Sequence, residues 1–169
     1  SETAYTTDRA LDFLSAVGKE DQWCLHLSYI KPHWPYLVPS PYHSLYTDEH
    51  ILPAVRDSVE KKSTHPVLKA FQDEVYSQNF SCDEVRERVI PAYMGLIKQV
   101  DDHLGRVFDK LKSMELMDST LIIFTSDHGD YLGDHWLGEK DLFHEPSVRI
   151  PLIVYDPDKM AKESRGSLN

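Results

Sequence analysis

Apolar side chains recur at intervals of three residues near the start of the chain, which predicts an amphipathic helix. The members of this stripe are Leu11, Leu14 and Val17. Thr7 and Asp8 precede it and are candidate N-caps, because their side-chain oxygens accept hydrogen bonds from the unpaired N–H groups of a first turn. Gly18 follows the stripe and predicts the end of the helix.

The same periodicity is strongest after the middle of the chain, where it predicts a longer helix. This stripe begins at Tyr93 and comprises Leu96, Ile97, Val100, Leu104, Val107, Phe108, Leu111 and Met114. Upstream, Ser81 and Glu84 have the spacing of a capping box. Five prolines between positions 32 and 53 predict irregular backbone there, and the polar segment 57–79 predicts a mixture of helix and loop.

Three short apolar runs predict β-strands that are buried on both faces. They are residues 23–30, 121–124 and 151–155. The last two contain β-branched residues and no charge, as central parallel strands do. Because a helix is followed by a strand twice, the predicted fold class is α/β, with a mainly parallel sheet flanked by helices.

Composition and charge narrow the class of protein. The chain has 169 residues, of which 41% are hydrophobic and 27% charged, as expected of one globular domain or a piece of one. Eighteen basic against 28 acidic residues give a net charge of −10 without a basic tract, so nucleic acid is not an expected partner. The longest uncharged run, residues 32–47, contains four prolines and does not predict a membrane span.

The cysteines and the chain ends carry weaker signals. Cys24 and Cys82 form no C-x-x-C or disulfide-dense pattern, so we predict buried or neutral thiols and leave their pairing open. No signal peptide opens the chain at Ser1, which favours the cytoplasm. Because neither end carries a capping element, we expect residues 1–169 to be part of a single domain that is truncated at both ends.

Side chains that bind metals or transfer protons follow two of the predicted strands. Lys31 and His33 follow the first, and Asp127 and His128 follow the second. In open α/β sheets the active site lies beyond the carboxyl ends of the strands. Adjacent strand residues point to opposite faces, so the second pair shares one ion only if the chain leaves strand geometry, which Gly129 permits. A carboxylate and an imidazole suit Zn, Mn or a similar divalent ion.

The segment that follows this pair is strongly acidic. Six Asp and Glu residues lie between Asp127 and Glu145, against the single base Lys140. Such a local field repels an anionic substrate unless a cation intervenes. A metal ion, together with Lys140 and His33, would supply that attraction. The other two histidines of the segment, His135 and His144, are expected to be solvated or hydrogen-bonded loop residues.

Several motifs together resemble the sulfatase family of the alkaline phosphatase superfamily, and within it the phosphonate monoester hydrolase and arylsulfatase-like enzymes. They are residues 121–135, which include Thr125-Ser126-Asp127-His128-Gly129, then Lys140, residues 149–154, residues 92–106 and residues 31–36. The combination is specific, whereas the S-D-H-G tetrapeptide alone is not. The resemblance implies an alkaline-phosphatase-like fold and the hydrolysis of sulfate, phosphonate or phosphodiester esters.

The resemblance also implies roles for individual residues. Asp127 and His128 would bind one divalent ion, which the donor types allow to be Ca, Mn, Mg or Zn. His33 would contact the small anionic ester and protonate the leaving oxygen. Lys140 would bind the non-bridging oxygens of the substrate.

The nucleophile of that family is a formylglycine made from Cys or Ser in a C/S-x-P-x-R motif. Neither Cys24 nor Cys82 lies in such a motif, so the formylglycine is expected upstream of this segment. The segment by itself is therefore expected to be inactive.

Two other classes of protein stay open. A two-zinc phosphodiesterase or phosphomutase of the same superfamily would need further Asp and His ligands and a Thr or Ser nucleophile. A non-catalytic binding module would keep the fold without activity. The sequence leaves the metal, the choice between sulfate and phosphonate, and the oligomeric state open.

Overall fold

A computed structural model describes residues 1–17, 21–62 and 65–158 of the chain. Its helices are α1 (Glu2–Ala16), α2 (Ser58–Lys61), α3 (Pro66–Asp73), α4 (Val75–Phe80), α5 (Asp83–Ser113) and α6 (Glu145–Val148). Its strands are β1 (Ile122–Thr125) and β2 (Leu152–Tyr155), which pair in a two-stranded sheet. Short 3₁₀ turns occur at Tyr42–Ser44, Asp48–His50, Met117–Ser119 and Asp134–Trp136. No helix in these ranges combines the length and the apolar character needed to cross a membrane.

Helix α1 is present, but the predicted start at Thr7 or Asp8 is wrong. The helix begins at Glu2, and the Ser1 hydroxyl accepts from the Ala4 N–H at 3.3 Å as its N-cap. Thr7 is instead a buried position inside the helix, where its hydroxyl donates to the Thr3 carbonyl at 2.8 Å. The predicted stop, Gly18, lies outside the described residues.

Helix α5 confirms the helix that the long apolar stripe predicts. It begins ten residues before Tyr93, the first residue of that stripe. It begins at Asp83, where acidic residues in the first turn favour the positive end of the helix dipole. The predicted capping box is wrong, because the Ser81 hydroxyl donates to the Ser77 carbonyl at 2.9 Å. Pro91 lies inside the helix.

The chain divides into two compact units, and α5 contributes to both. The first unit comprises Ser1–Pro35, Leu96–Phe124 and Ile153–Asn169. Its core is formed by the buried side chains of Leu14, Val107, Leu111 and Leu116. The half-buried side chains of Trp23, Leu27 and Ile122 pack against them. This packing explains the three-and-four spacing of apolar residues on α1 and α5.

Residues 23–30 carry no assigned strand, although their burial has the period of one. Trp23, Leu25, Leu27 and Tyr29 are half-buried, and the residues between them are exposed. The prediction of burial on both faces is therefore wrong for this run, because nothing in the described residues covers its second face. Cys24 lies on that exposed face. Cys82 is also exposed and donates to Glu84 Oε2 at 2.7 Å. Of the two predicted alternatives, buried or neutral thiols, the buried one is therefore wrong for both cysteines.

Strands β1 and β2 coincide within one residue with the predicted runs at 121–124 and 151–155. Their burial does not match the prediction, because Ile123 is 59% exposed, Leu152 71% and Ile153 61%. No second layer in the described part of the chain covers these side chains. An apolar, β-branched strand face thus stands open to solvent.

The second unit comprises Tyr36–Gly95 and Thr125–Leu152. Phe80, Tyr131 and Leu137 are its buried hydrophobic side chains. Residues 55–57 pair with residues 134–136. The Val55 N–H donates to the Asp134 carboxylate at 2.8 Å, and the His135 N–H donates to the Val55 carbonyl at 2.7 Å. This pairing supports the loop that carries the candidate site.

Candidate active site

Asp127 and His128 lie immediately beyond the end of β1, where the chain leaves strand geometry as predicted. Asp127 Oδ2 and His128 Nε2 are 3.6 Å apart. The His128 N–H donates to Asp127 Oδ1 at 3.0 Å, and the Ser126 hydroxyl donates to the His128 carbonyl at 2.8 Å. These bonds fold the chain so that the two side chains face the same point.

The His128 ring has one nitrogen occupied and one directed at Asp127. Its Nδ1 is 2.7 Å from the Gly129 carbonyl, which only accepts, so Nδ1 carries the proton. Metal-binding histidines commonly donate their other ring N–H to a carbonyl in this way. The Nε2 of His128 faces Asp127 Oδ2 at 3.6 Å. The two donors fit a single divalent ion.

The Asp127 carboxyl is in the anionic state that metal binding requires. Burial alone would raise its pKa, but the adjacent His128 and the hydrogen bonds to its oxygens lower that pKa below the ordinary value. Its side chain is 85% exposed. Over the described residues, no cluster of three or more His, Cys, Asp and Glu side chains forms that could hold a metal ion.

Gly129 is required by the close approach of helix α6. A Cβ atom on this residue would lie 1.9 Å from the Pro146 carbonyl oxygen. The Gly129 N–H donates to the Ser147 carbonyl at 2.7 Å, and the buried Ser147 hydroxyl donates to the Lys140 carbonyl at 2.5 Å. Ser147 therefore links the backbone of Gly129, which follows the two metal-ligand candidates, to the backbone of Lys140 through hydrogen bonds.

Lys140 lies in the same unit as Asp127 and His128, next to an acidic neighbour. Its Nζ is 3.3 Å from Glu139 Oε2, and the lysine side chain is 31% exposed. A partly exposed amine reaches solvent, as a binding group for an anion must.

His33 belongs to the first unit and lies in the proline-rich loop. Its Nδ1 donates to the Trp34 carbonyl at 2.9 Å, and its ring is 5.7 Å from the indole of Trp34. The Lys31 amine donates to the carbonyls of His33 and Pro35 at 3.1 and 2.6 Å, which fixes the backbone of this turn. Lys31 thus supports the loop.

Comparison with known proteins identifies the family. The family model described as Sulfatase matches residues 2–168, which is nearly the whole chain. The chain belongs to the sulfatase family. The resemblance inferred from residues 121–135 and the accompanying motifs is confirmed.

Individual relatives of this sulfatase-family chain agree with that assignment. The multifunctional alkaline phosphatase superfamily protein PehA of Trinickia caryophylli is 38% identical over 92% of this chain and 32% of its own length. The choline-sulfatase of Rhizobium meliloti is 34% identical over 92% and 31%. The phosphonate monoester hydrolase of Agrobacterium radiobacter superposes with a TM-score of 0.83 at 29% identity, over 93% of this chain and 33% of that one. The chain spans about a third of the length of these relatives and has the fold of the corresponding third.

Sequence reasoning missed a partly buried carboxyl group close to the metal-ligand candidates of the sulfatase-family chain. Asp130 accepts from the Tyr36 hydroxyl at 3.1 Å and from the Leu132 N–H at 3.0 Å. Burial raises the pKa of Asp130 to about 6 despite these two bonds, which lower it. Burial also raises the pKa of Tyr93 to about 12, and the charge of Asp130 adds to that shift. No local motif signals this contact, because Tyr36 and Asp130 are 94 residues apart.

The two other histidines of the acidic segment are hydrogen-bonded, as predicted. His135 donates from Nδ1 to Glu60 Oε1 at 2.9 Å, and its ring stacks on His144 with centroids 4.3 Å apart. His144 Nδ1 is 2.8 Å from the Tyr131 hydroxyl. Burial, and next the charge of His135, lower the pKa of His144.

Proposed function

We propose that this chain is part of a single catalytic domain that hydrolyses esters of sulfate or phosphonate with the help of a divalent metal ion. The observation that carries the proposal is the pair formed by Asp127 Oδ2 and His128 Nε2 at 3.6 Å, with the other ring nitrogen held by the Gly129 carbonyl. The names of the relatives, a choline-sulfatase and a phosphonate monoester hydrolase among them, support the same reaction class.

In this proposal Asp127 and His128 hold the ion, and residues outside this chain complete its coordination. An oxygen and a nitrogen donor accept Ca, Mn, Mg or Zn. When bound, the ion would act as a Lewis acid on the oxygens of the ester.

Lys140 and His33 act on the substrate itself. Charge builds on the non-bridging and leaving oxygens as the ester is cleaved, and a fixed cation stabilises that charge. The Lys140 amine binds the non-bridging oxygens. His33, whose ring is held at Nδ1 by the Trp34 carbonyl, donates a proton to the leaving oxygen.

The nucleophile lies outside these 169 residues in our proposal. No C/S-x-P-x-R segment occurs in the sequence, so a formylglycine would come from another part of the complete protein. Peptide mass spectrometry of the complete protein tests this directly, since an oxidised Cys or Ser in such a segment has a distinct mass.

We also propose that β1 and β2 belong to a larger, mainly parallel sheet flanked by helices in the complete domain. Their apolar side chains are more than half exposed at Ile123, Leu152 and Ile153. The relatives have about two thirds of their length beyond the matched region, which provides the material for further strands and a covering layer.

The test of the proposed function compares two Asp-His pairs in the complete protein. The double variant Asp127→Asn/His128→Gln removes the proposed metal donors. The control, Asp102→Asn/His103→Gln, alters an adjacent pair on helix α5 whose aspartate accepts from Lys98 at 2.5 Å. Both variants change the same residue types and the same formal charge.

We expect the first variant to lose its bound divalent ion in elemental analysis and at least about 100-fold in kcat/KM on aryl sulfates and aryl phosphonates, because loss of outer-shell partners alone costs 10- to 100-fold. The control variant should keep its bound ion and its kcat/KM. Unchanged metal content and turnover in the first variant would contradict the proposal. Two ions per chain in the wild type would instead indicate the two-metal class.

A further inference from the structure

The loop that leads to Lys140 adopts a costly backbone conformation. Leu132, His135, Trp136 and Glu139 have φ of 45°, 55°, 63° and 61°, in the left-handed region that side chains with a Cβ disfavour. Gly133, with φ of 101°, completes the set. A segment with four such residues in eight positions persists only if other contacts hold it.

Backbone hydrogen bonds close this loop and connect it directly to Lys140. The Tyr131 N–H donates to the Glu139 carbonyl at 2.9 Å, and the Gly133 N–H donates to the Leu137 carbonyl at 2.9 Å. The first bond joins the residue before the loop to the residue before Lys140. A displacement of the loop therefore moves the backbone of Lys140.

Two buried arginines hold the carbonyls at the first turn of the loop. Arg86 Nε donates to the Leu132 carbonyl at 3.0 Å, and Arg56 Nε donates to the Gly133 carbonyl at 2.8 Å. Their side chains are only 9% and 10% exposed. A Cβ on Gly133 would lie 2.6 Å from Arg86 Cδ, so the guanidinium and the loop backbone are in direct contact.

The two terminal nitrogens of Arg86 each have a protein partner. Its Nη2 donates to the Leu52 carbonyl at 3.3 Å, and its Nη1 is 3.4 Å from Asp83 Oδ1. The planar guanidinium makes these bonds in three directions, which a lysine amine on a flexible stem does not reproduce. Arg86 thus binds the loop backbone directly.

We propose that Arg86 is a positioning residue for Lys140, acting through the closed loop from Leu132 to Glu139. This inference rests on the proposed role of Lys140 in binding the substrate anion. The arginine fixes the Leu132 carbonyl, the loop transmits that position through the bond from Tyr131 to Glu139, and Lys140 follows directly. Arg56 fixes the next carbonyl in the same way.

A double-mutant cycle on the complete protein tests the inference with vanadate as the probe. The four proteins are wild type, Arg86→Lys, Lys140→Ala and the double variant. The matched control is Arg88→Lys, an exposed arginine two residues further along helix α5. Inhibition constants for vanadate and kcat/KM on an aryl ester are measured for each, together with metal content and thermal midpoint.

We expect Arg86→Lys to raise the vanadate inhibition constant about tenfold with metal content unchanged, as outer-shell substitutions do. In the Lys140→Ala background, Arg86→Lys should change the vanadate inhibition constant less than about twofold, because the effects of residues that act through one another are not additive. Arg88→Lys should leave it unchanged. If Arg86→Lys fails to fold, Arg56→Lys takes its place and the same result is expected.

The inference is overturned if Arg86→Lys leaves the inhibition constant unchanged, or changes it equally with and without the Lys140 amine. An unchanged constant for Lys140→Ala overturns it as well. If the wild type neither hydrolyses an ester nor binds vanadate, the proposed function itself fails. If the wild type is active and the effects of Arg86→Lys and Lys140→Ala are additive, the proposed function stands and only the role of Arg86 is rejected.

Discussion

Gly129 shows how a single residue limits what the candidate site tolerates. Gly129→Ala places a methyl group 1.9 Å from the Pro146 carbonyl oxygen, which belongs to the backbone and has no rotamer to change. We expect the substitution to lower the free energy of unfolding by about 1 to 3 kcal/mol, the usual cost of overpacking. Urea denaturation measures this value directly.

Gly105→Ala is the control, and its expected effect has the opposite sign. Gly105 lies inside α5, and a Cβ there has no atom within 4 Å. Alanine in a helix interior is favoured over glycine by roughly 0.5 to 1 kcal/mol, so this variant should be more stable than the wild type. Equal effects at both positions would contradict the steric argument for Gly129.

At the residue scale the sequence predicts local geometry and misses distant contacts. The Asp127, His128 and Gly129 motif predicts a turn at the strand end, because adjacent residues on a strand cannot face one point. Arg86 carries no such signal, since an arginine on an amphipathic helix reads as a solvated position. Its partner, the Leu132 carbonyl, is 46 residues away and is offered by a backbone conformation that the sequence does not specify.

At the scale of an element, the segment from Tyr131 to His144 behaves as a unit whose stability depends on pH. The Tyr131 hydroxyl accepts from the His144 backbone N–H at 3.2 Å and is 2.8 Å from His144 Nδ1. His135 stacks on the other side at 4.3 Å. Burial of the His144 ring, and next the charge of His135, oppose a proton on His144.

We expect His144→Gln to reduce the loss of stability on acidification. Burial and the charge of His135 lower the pKa of His144, against a small opposing effect of Glu60, so the unfolded chain binds a proton that the folded chain does not. Stability from this group is therefore full above the ordinary histidine pKa and falls as pH decreases below it. Urea midpoints at pH 7.5 and 5.5 measure the difference.

The matched control is His43→Gln, at an exposed position in the 3₁₀ turn Tyr42–Ser44. It should leave the pH dependence as in the wild type. A His144 variant whose midpoint falls as far between the two pH values as that of the wild type would disprove the role of this ring.

Helices were more predictable than strands at this scale, for a physical reason. The stripe on α5 has its covering surface within the first unit, where α1 packs against it through Leu14 and Leu111, so periodicity and burial agree. The strand runs at 121–124 and 151–155 have no covering layer in the described residues. Their apolar composition predicts strands correctly and predicts their burial wrongly.

At the scale of the whole molecule, the exposed strand faces connect the structure to the length of the relatives. Ile123 and Ile153 are 59% and 61% exposed, and the chain spans about a third of each curated relative. Exposed β-branched strand faces promote association between copies of a chain. The same faces are expected to be buried in the complete domain that we propose.

The double variant Ile123→Ser/Ile153→Ser should therefore have opposite effects in two contexts. In the 169-residue chain it should reduce self-association, because it removes exposed apolar surface, and sedimentation velocity measures the change. In the complete protein it should lower the free energy of unfolding by about 2 kcal/mol or more per site, since burying an isoleucine is worth roughly 1.5 to 3 kcal/mol.

Val59→Ser, at a 75% exposed position on α2, is the control for a surface valine outside the sheet. A double variant that stays as stable as the wild type in the complete protein would show that these faces remain open there, and the larger sheet would have to be abandoned.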